Sequence, residues 1–152
     1  MDFTNLTNNI SQIDQLLTNK AKQSINICIT IRNWLFGYYI QEYELNGDDR
    51  AKYGEKLLES LAEELRKKKL PTVTVRSFQL YKRFYQSYPA IAQTLSSQLQ
   101  MLQINMPRQI MIGQTLSAQL AKDSNNNNII SPENLIQNLS FSHFVELMRI
   151  DD

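Results

Sequence analysis

The chain has 152 residues, of which 42 % are apolar and 20 % charged, the composition of a globular protein rather than a disordered one. Its net charge of +1 excludes nucleic-acid binding by overall charge alone. Cys28 is the only cysteine and His143 the only histidine, which excludes an intramolecular disulfide and a zinc site of His and Cys ligands.

The sequence contains no recognisable targeting or membrane segment. Its first residues lack the basic and apolar regions of a secretory signal. The most apolar run, residues 25–40, is interrupted by Asn26, Arg32 and Asn33, so it is not a membrane span. Because the cysteine usage also suits a reducing compartment, we expect a cytoplasmic protein with no membrane partner, no cofactor and no small-molecule substrate.

Two helices are predicted in the first third of the chain. Residues 3–18 carry apolar side chains at helical spacing, and residues 20–46 form a longer helix that ends at Asn46-Gly47. The longer helix is two-sided. Its first apolar stripe consists of Ile25, Cys28, Leu35, Phe36 and Tyr39, and its second consists of Ile27, Ile31, Trp34 and Tyr38. The arc expected to face water consists of Asn26, Thr30, Asn33 and Gly37. Such a helix is either buried inside its own domain or turns one stripe towards a partner chain.

The next predicted helix begins at a cap, Asp48 or Asp49, and runs to about Lys69. Pro71 is expected to end it. Its glutamates precede the basic run of residues 66–69, the order that the helix macrodipole favours. That order alone accounts for the basic run without a ligand.

A further helix, residues 74–88 with Thr74 as its cap, has two unlike sides. Its apolar side consists of Phe78, Leu80, Tyr81, Phe84, Tyr85 and Tyr88. Its polar side consists of Arg76, Gln79, Lys82, Arg83 and Gln86. Because it follows a helix and a short turn, it occupies the place of the second helix of a helix-turn-helix.

The positive charge of the chain is concentrated around this helix. Residues 50–90 carry ten basic and four acidic side chains, a local charge of +6, whereas the segments on either side are net acidic. Two interpretations stay open, a solvated surface or a surface for DNA. If DNA binds, Arg76 and Gln79 would reach base edges, with Gln86 on the same face. Lys82, Arg83 and the preceding Lys67, Lys68 and Lys69 would meet phosphates.

The C-terminal part is predicted to be helical as well. We expect helices over residues 91–106 and 107–122, although an alternation of apolar residues between 102 and 112 could instead form a small β-wing. Residues 125–128, all Asn, form a loop. Short helices follow over 131–138 and 141–149. The whole chain is thus expected to be one all-α domain with segments 1–46, 48–90 and 91–152.

Catalytic motifs are not found in the sequence. Cys28 and His143 are interpreted as a core residue and as a structural or capping residue, which leaves no pair for nucleophilic catalysis. No Asp or Glu is followed two positions later by Lys, the arrangement that many nucleases use for metal-dependent cleavage. Arg32 lies within an apolar stripe, and we expect it to snorkel or to pair with an internal carboxylate.

Four stretches occur in a fixed order along the chain. They are Trp-Leu-Phe-Gly at 34–37, Tyr-Gly-Glu-Lys-Leu-Leu at 53–58, Val-Arg-Ser-Phe at 75–78 and Leu-Ser-Phe-Ser-His-Phe at 139–144. Together they resemble the N-terminal domain of the YhcG-like family, bacterial proteins that carry a PD-(D/E)XK-type nuclease domain at their C-terminal end. The resemblance covers most of residues 20–90 and again 139–149. It implies a helix-turn-helix or winged-helix core and a DNA-targeting or assembly role, with catalysis in a domain outside this chain.

We therefore predict a non-catalytic DNA-binding domain of a bacterial nuclease. The alternative is a protein-interaction or homodimerisation module that uses the stripe of Ile27, Ile31, Trp34 and Tyr38 and makes no contact with DNA.

Overall fold

The computed structural model describes residues 1–20, 25–70, 72–105 and 131–150. Its α-helices in chain order are α1 (Phe3–Lys20), α2 (Ile25–Asn46), α3 (Arg50–Tyr53), α4 (Leu57–Lys67), α5 (Val75–Ser87), α6 (Leu95–Met101), α7 (Pro132–Asn138) and α8 (Phe141–Ile150). Single 3₁₀ segments, Gly54–Lys56 and Pro89–Thr94, precede α4 and α6. The described residues contain no strand, and the predicted all-α class is confirmed. None of these helices combines the length and apolarity that crossing a membrane requires, as far as the chain is described.

The chain divides into two compact units. The first consists of Met1–Gln15 with Arg32–Ser87, and the second of Leu16–Ile31 with Tyr88–Asp152. The helix proposed for DNA contact, α5, lies entirely in the first unit, as do α3 and α4.

The core of the first unit is built around the middle of α2, where every residue from 33 to 40 is buried. The early turns of α1, together with α4 and α5, supply further buried side chains at helical spacing. These are Phe3, Leu6, Ile10 and Ile13 from α1, Leu57, Leu61, Ala62 and Leu65 from α4, and Phe78, Tyr81 and Phe84 from α5. The two-sided pattern of α2 therefore reflects burial inside its own chain, one of the two alternatives that its sequence allowed.

The arc of α2 predicted to face water is mostly buried, and that prediction was wrong. Asn26 alone of its four residues is exposed, whereas Thr30 and Asn33 are buried. Gly37 lies against the backbone of α5, where an added Cβ would be 2.1 Å from the carbonyl oxygen of Tyr81. The small and polar side chains of this arc suggested a solvent-exposed surface. In the structure, Gly37 instead allows α2 and α5 to pack closely.

Arg32 makes an internal ion pair, one of the alternatives that its position in the sequence allowed. Its Nη1 lies 3.4 Å from Oδ1 of Asp14, and its Nε donates to Oδ1 of Asn33 at 3.2 Å. The guanidinium also lies over the ring of Phe36, 5.8 Å from the centroid. Both charged side chains are about four-fifths buried, so the pair lies at the edge of the core.

The helix predicted from Asp48 or Asp49 to Lys69 is interrupted, a difference from the sequence-based expectation. Gly54 has a φ of +46° and separates α3 from α4. Asp49 stands at the start of α3, yet its side chain does not cap that helix. Its Oδ1 instead accepts hydrogen bonds from the Phe3 amide at 2.7 Å and the Tyr43 hydroxyl at 2.8 Å. Asp49 thus caps α1, a helix distant in sequence.

These hydrogen bonds also affect ionisation. Burial disfavours the Asp49 carboxylate. The hydrogen bonds from Phe3, Tyr43 and its own backbone, together with the charge of Lys52, outweigh burial and hold the pKa of Asp49 below its ordinary value. The pKa of Tyr43 is raised by burial and by its hydrogen bond to this carboxylate.

Helix α4 ends at Lys67, within two residues of the predicted end, and the predicted role of Pro71 lies outside the described residues. Leu70 N–H donates to Leu65 O at 3.0 Å and Lys69 N–H to Arg66 O at 3.1 Å, the pair of bonds of a Schellman motif. Lys69 has a φ of 67°, a position that normally favours glycine.

The second unit confirms most of its predicted short helices. Ser131 is the cap residue of α7, and Ser140 precedes α8, where its N–H donates to Nδ1 of His143 at 3.1 Å. His143 therefore has the predicted capping role, and Cys28 is buried as a core residue. In place of a single helix over 91–106, the structure has a 3₁₀ segment followed by α6. The predicted helix 107–122, most of its β-wing alternative and the Asn loop 125–128 lie outside the described residues.

Candidate nucleic-acid interface

Helix α5 begins at a reciprocal cap made by Thr74 and Ser77. The Ser77 amide donates to Oγ1 of Thr74 at 3.1 Å, and the Thr74 amide donates to Oγ of Ser77 at 2.8 Å. The Ser77 hydroxyl thus accepts the hydrogen bond that a Glu or Gln side chain accepts in a capping box. The predicted cap at Thr74 is confirmed, and it fixes the first turn of α5 in space.

The inner side of α5 anchors the helix in the first unit. Phe78 and Phe84 are fully buried, and Tyr81 is 8 % exposed. The ring of Tyr85 packs edge-on against Trp34 and Tyr38 of α2, with centroids 5.0 and 5.6 Å apart. A helix held by this many aromatic contacts presents its outer side chains on a rigid backbone.

The outer side of α5 carries Arg76 and Gln79, which are both exposed. Within the described part of the chain, neither side chain has a hydrogen-bond or ion-pair partner. Arg83 lies one further turn along the same face, half-buried and engaged by another group of the protein. The sequence therefore placed Arg76 and Gln79 correctly on an exposed polar face.

The remaining two polar residues of α5 turn towards α2. Nζ of Lys82 lies 2.5 Å from Oε2 of Glu44, and Nε2 of Gln86 donates to Oε1 of Gln41 at 2.7 Å. Lys82 and Glu44 are each about 30 % exposed at the side chain. The periodicity of α5 could not show which of its polar residues face solvent and which bond to α2, because that depends on the polar residues of α2.

The three lysines predicted to meet phosphates also differ from one another. Lys67 lies 2.7 Å from Glu64 and 3.7 Å from Glu63, and the hydrogen bond to Glu64 raises the pKa of Lys67. Lys68 donates to Oδ1 of Asn8 on α1 at 2.6 Å. Lys69 is exposed at the end of the helix.

Lys68 borders a shallow groove of about 440 Å³ between α1 and the α3–α4 region. Thr4 and Thr7 line it on the α1 side, and Ser60 and Glu64 on the α4 side. The side chain of Lys68 thus points towards α1 and is not part of the surface formed by the outer side of α5.

The connection between α4 and α5 differs from the predicted motif in length. Residues 68–74 separate the two helices, whereas a helix-turn-helix joins them with roughly three or four residues. Helices α4 and α5 do contact each other. The order of the two helices therefore fits a helix-turn-helix, but the length of the connection between them does not.

The predicted interface stripe of α2 is largely inside the chain. Ile31, Trp34 and Tyr38 are at most 6 % exposed, and Ile27 is half-buried. Burial is the main cause that raises the pKa of Tyr38, followed by the charge of Glu42. Three of the four side chains are therefore unavailable to a partner in this conformation.

The described ranges contain no group of three or more His, Cys, Asp or Glu side chains placed to hold a metal ion.

The sequence analysis did not identify Glu44 as the acidic partner of Lys82. The periodicity of α2 contains no signal for this pairing, because it depends on how α2 and α5 pack.

The family model for the DUF1016 N-terminal domain matches residues 9–152, nearly the whole chain. No curated protein and no solved structure matches the chain.

Proposed function

The chain belongs to the DUF1016 N-terminal domain family, and from this premise we propose that it binds duplex DNA through α5. In the same proposal the chain is the non-catalytic targeting part of a longer bacterial nuclease. The second statement rests on the resemblance to YhcG-like proteins, of which this family is the N-terminal part.

The observation that carries the proposal is the exposed pair of Arg76 and Gln79 on a packed and capped helix. An arginine binds O6 and N7 of guanine in a bidentate manner, and a glutamine binds N6 and N7 of adenine in the same way. Since neither side chain has a partner in the described part of the chain, contact with a base would not first require breaking an internal bond.

The charge distribution supports the same surface. Residues 50–90 carry a local charge of +6, and the exposed Lys69 and the half-exposed Arg83 belong to this segment. These cations would neutralise phosphates on either side of the bases that α5 contacts. Lys67, Lys68 and Arg83 each interact with another group of the protein and contribute less in this proposal than Lys69.

The experiment compares two variants that each lose one positive charge. Arg76→Ala/Gln79→Ala removes the proposed base contacts, and Lys56→Ala removes an exposed cation from the 3₁₀ segment before α4. Binding to a mixed-sequence duplex is measured by fluorescence anisotropy at 50 mM salt. Since a good bidentate pair contributes about 1–3 kcal/mol, the double variant is expected to bind at least about tenfold more weakly.

The matched control distinguishes binding through the α5 surface from a general attraction between DNA and the positive charge of the protein. The Lys56→Ala variant is expected to bind within about twofold of wild type, because Lys56 is not on α5 and an exposed charge is screened by salt. Equal binding by wild type and the double variant would overturn the proposal. Equal weakening by the double variant and by Lys56→Ala would do the same.

A further inference from the structure

The polar side of α5 is in contact with an acidic residue of α2. The Lys82 ammonium and the Glu44 carboxylate are 2.5 Å apart, and both side chains keep about 30 % of their surface exposed. A pair at this depth can be reached by a phosphate oxygen from solvent. An ion pair this exposed also contributes little to stability, so its exchange for another anion is not opposed by the fold.

A second, neutral contact holds the same two helices together. Gln86 donates to Gln41 at 2.7 Å, one turn from the ion pair on both helices. The close approach of Gly37 to Tyr81 fixes the crossing further along α2. Opening the Lys82–Glu44 pair therefore leaves the orientation of α5 unchanged.

The position of Lys82 on α5 makes the pair relevant to DNA. Lys82 is one turn after Gln79, and on a helical wheel it lies at the border between the outer face and the side that packs on α2. A phosphate that follows the bases contacted by Arg76 and Gln79 would approach this border. Because Glu44 neutralises the ammonium and repels an approaching phosphate, that phosphate would gain little from Lys82 while the pair is closed.

We propose that Glu44 is a built-in competitor for DNA phosphate, which occupies Lys82 in the free protein and weakens binding by one phosphate contact. This inference rests on the proposed DNA binding by α5. It assigns Glu44 as an affinity-determining residue that does not itself touch DNA, and it makes Lys82 a conditional contact, in contrast to the exposed Arg76.

The test is a double-mutant cycle of Glu44→Gln and Lys82→Gln, with binding to the same duplex measured between 50 and 200 mM salt. Glu44→Gln is expected to raise affinity roughly threefold to tenfold at 50 mM, the gain of one surface phosphate contact of about 1 kcal/mol. It is also expected to steepen the slope of log K against log salt by about 0.9. In the Lys82→Gln background, Glu44→Gln is expected to change neither quantity.

A matched control distinguishes competition from a general loss of negative charge. Glu42→Gln removes a carboxylate two positions away whose Oε1 accepts a hydrogen bond from Asn46, and it leaves the Lys82–Glu44 pair in place. Its affinity is expected to stay within about twofold of wild type. If Glu42→Gln raises affinity as much as Glu44→Gln, or if Glu44→Gln acts equally in the Lys82→Gln background, the competitor role is overturned.

Failure of this inference is distinct from failure of DNA binding by α5. If Arg76→Ala/Gln79→Ala weakens binding and the cycle is additive, the face binds DNA and Glu44 is not a competitor. If that double variant binds like wild type, both proposals fail. Thermal unfolding of Glu44→Gln, expected within about 2 °C of wild type, confirms that the comparison is between folded proteins.

Discussion

Gly37 of α2 lies directly under the backbone carbonyl of Tyr81 in α5. A Cβ added at Gly37 would be 2.1 Å from that oxygen, 2.6 Å from the carbonyl carbon and 2.9 Å from Cβ of Tyr85. The two helices therefore approach to a distance that only glycine allows at this point. This contact positions α5, the helix on which the proposed DNA-binding surface is built.

The Gly37→Ala variant is expected to be strongly destabilised. The clash is with backbone atoms that cannot rotate away, so α2 and α5 must separate and the aromatic side chains between them lose contacts. Alanine gains about 1 kcal/mol of helix propensity, and the net loss in the free energy of unfolding is expected to be about 2–4 kcal/mol. Denaturation by urea measures it.

Gly54→Ala is the matched control for this prediction. Nothing lies within 4 Å of an added Cβ there, although the φ of +46° disfavours any L residue. The expected loss is about 1–3 kcal/mol, from backbone strain alone, because the φ of 46° and ψ of −128° lie outside the regions that L residues favour. If Gly37→Ala is no more destabilising than Gly54→Ala, the close contact between α2 and α5 does not require a glycine at position 37.

The Lys69→Gly variant is expected to be more stable than wild type. Lys69 holds a φ of 67° at the end of α4, where glycine avoids the steric penalty of a Cβ. The expected gain is about 0.5–1 kcal/mol in the free energy of unfolding. Lys69→Ala keeps the strain and removes the same charge, so its stability should match wild type. A gain shared by both variants would point to charge rather than to backbone strain.

Asp49→Asn is expected to reduce both stability and its dependence on pH. The folded pKa of Asp49 lies below its ordinary value, so the ionised carboxylate stabilises the fold fully above that ordinary value. The stabilisation is lost as the pH falls through the lower folded pKa. The Tm difference between wild type and Asp49→Asn should therefore be largest near pH 7 and should close in acid.

Glu55→Gln provides the comparison for the Asp49 variant, since it removes an exposed carboxylate from the 3₁₀ segment. Its Tm is expected to follow wild type across the pH range. A constant gap between wild type and Asp49→Asn from pH 7 into acid would show that ionisation of Asp49 is not linked to folding.

Arg32 and Asp14 are expected to be coupled in a double-mutant cycle. Their 3.4 Å contact lies at the edge of the core, where water screens it only partly. With Arg32→Met and Asp14→Asn, the coupling free energy is expected to be about 1 kcal/mol. Additivity of the two single variants, measured by urea denaturation, would mean that the pair contributes only through packing.

The long helices and their ends could be predicted well, because they depend on local signals. Apolar spacing located α1 and α2, and the Asn46-Gly47 signal marked the end of α2 correctly. The break at Gly54 was missed, since an isolated glycine in a helical pattern is usually tolerated. The end of α4 was predicted to within two residues, but its left-handed position at Lys69 was not, because glycine rather than lysine normally occupies such a position.

The candidate site could be predicted only in outline. The sequence identified α5 as amphipathic and its polar residues by name, but periodicity could not show which of the five have partners in the folded chain. Packing against α2 separated them. Arg76 and Gln79 are exposed, Gln86 is exposed but bonded to Gln41, and Lys82 is paired with Glu44. Fewer polar side chains are therefore ready for a ligand than the polar face of the helix contains.

By itself, then, the sequence determined the helical class, the places of the main helices and the concentration of positive charge between residues 50 and 90. These follow from periodicity, capping and composition, which are properties of neighbouring residues. Only the tertiary structure decided that Asp49 caps α1, that Gly37 receives the backbone of α5 and that Glu44 occupies Lys82. Each of these joins residues far apart in the chain, so its partner cannot be chosen before the helices pack.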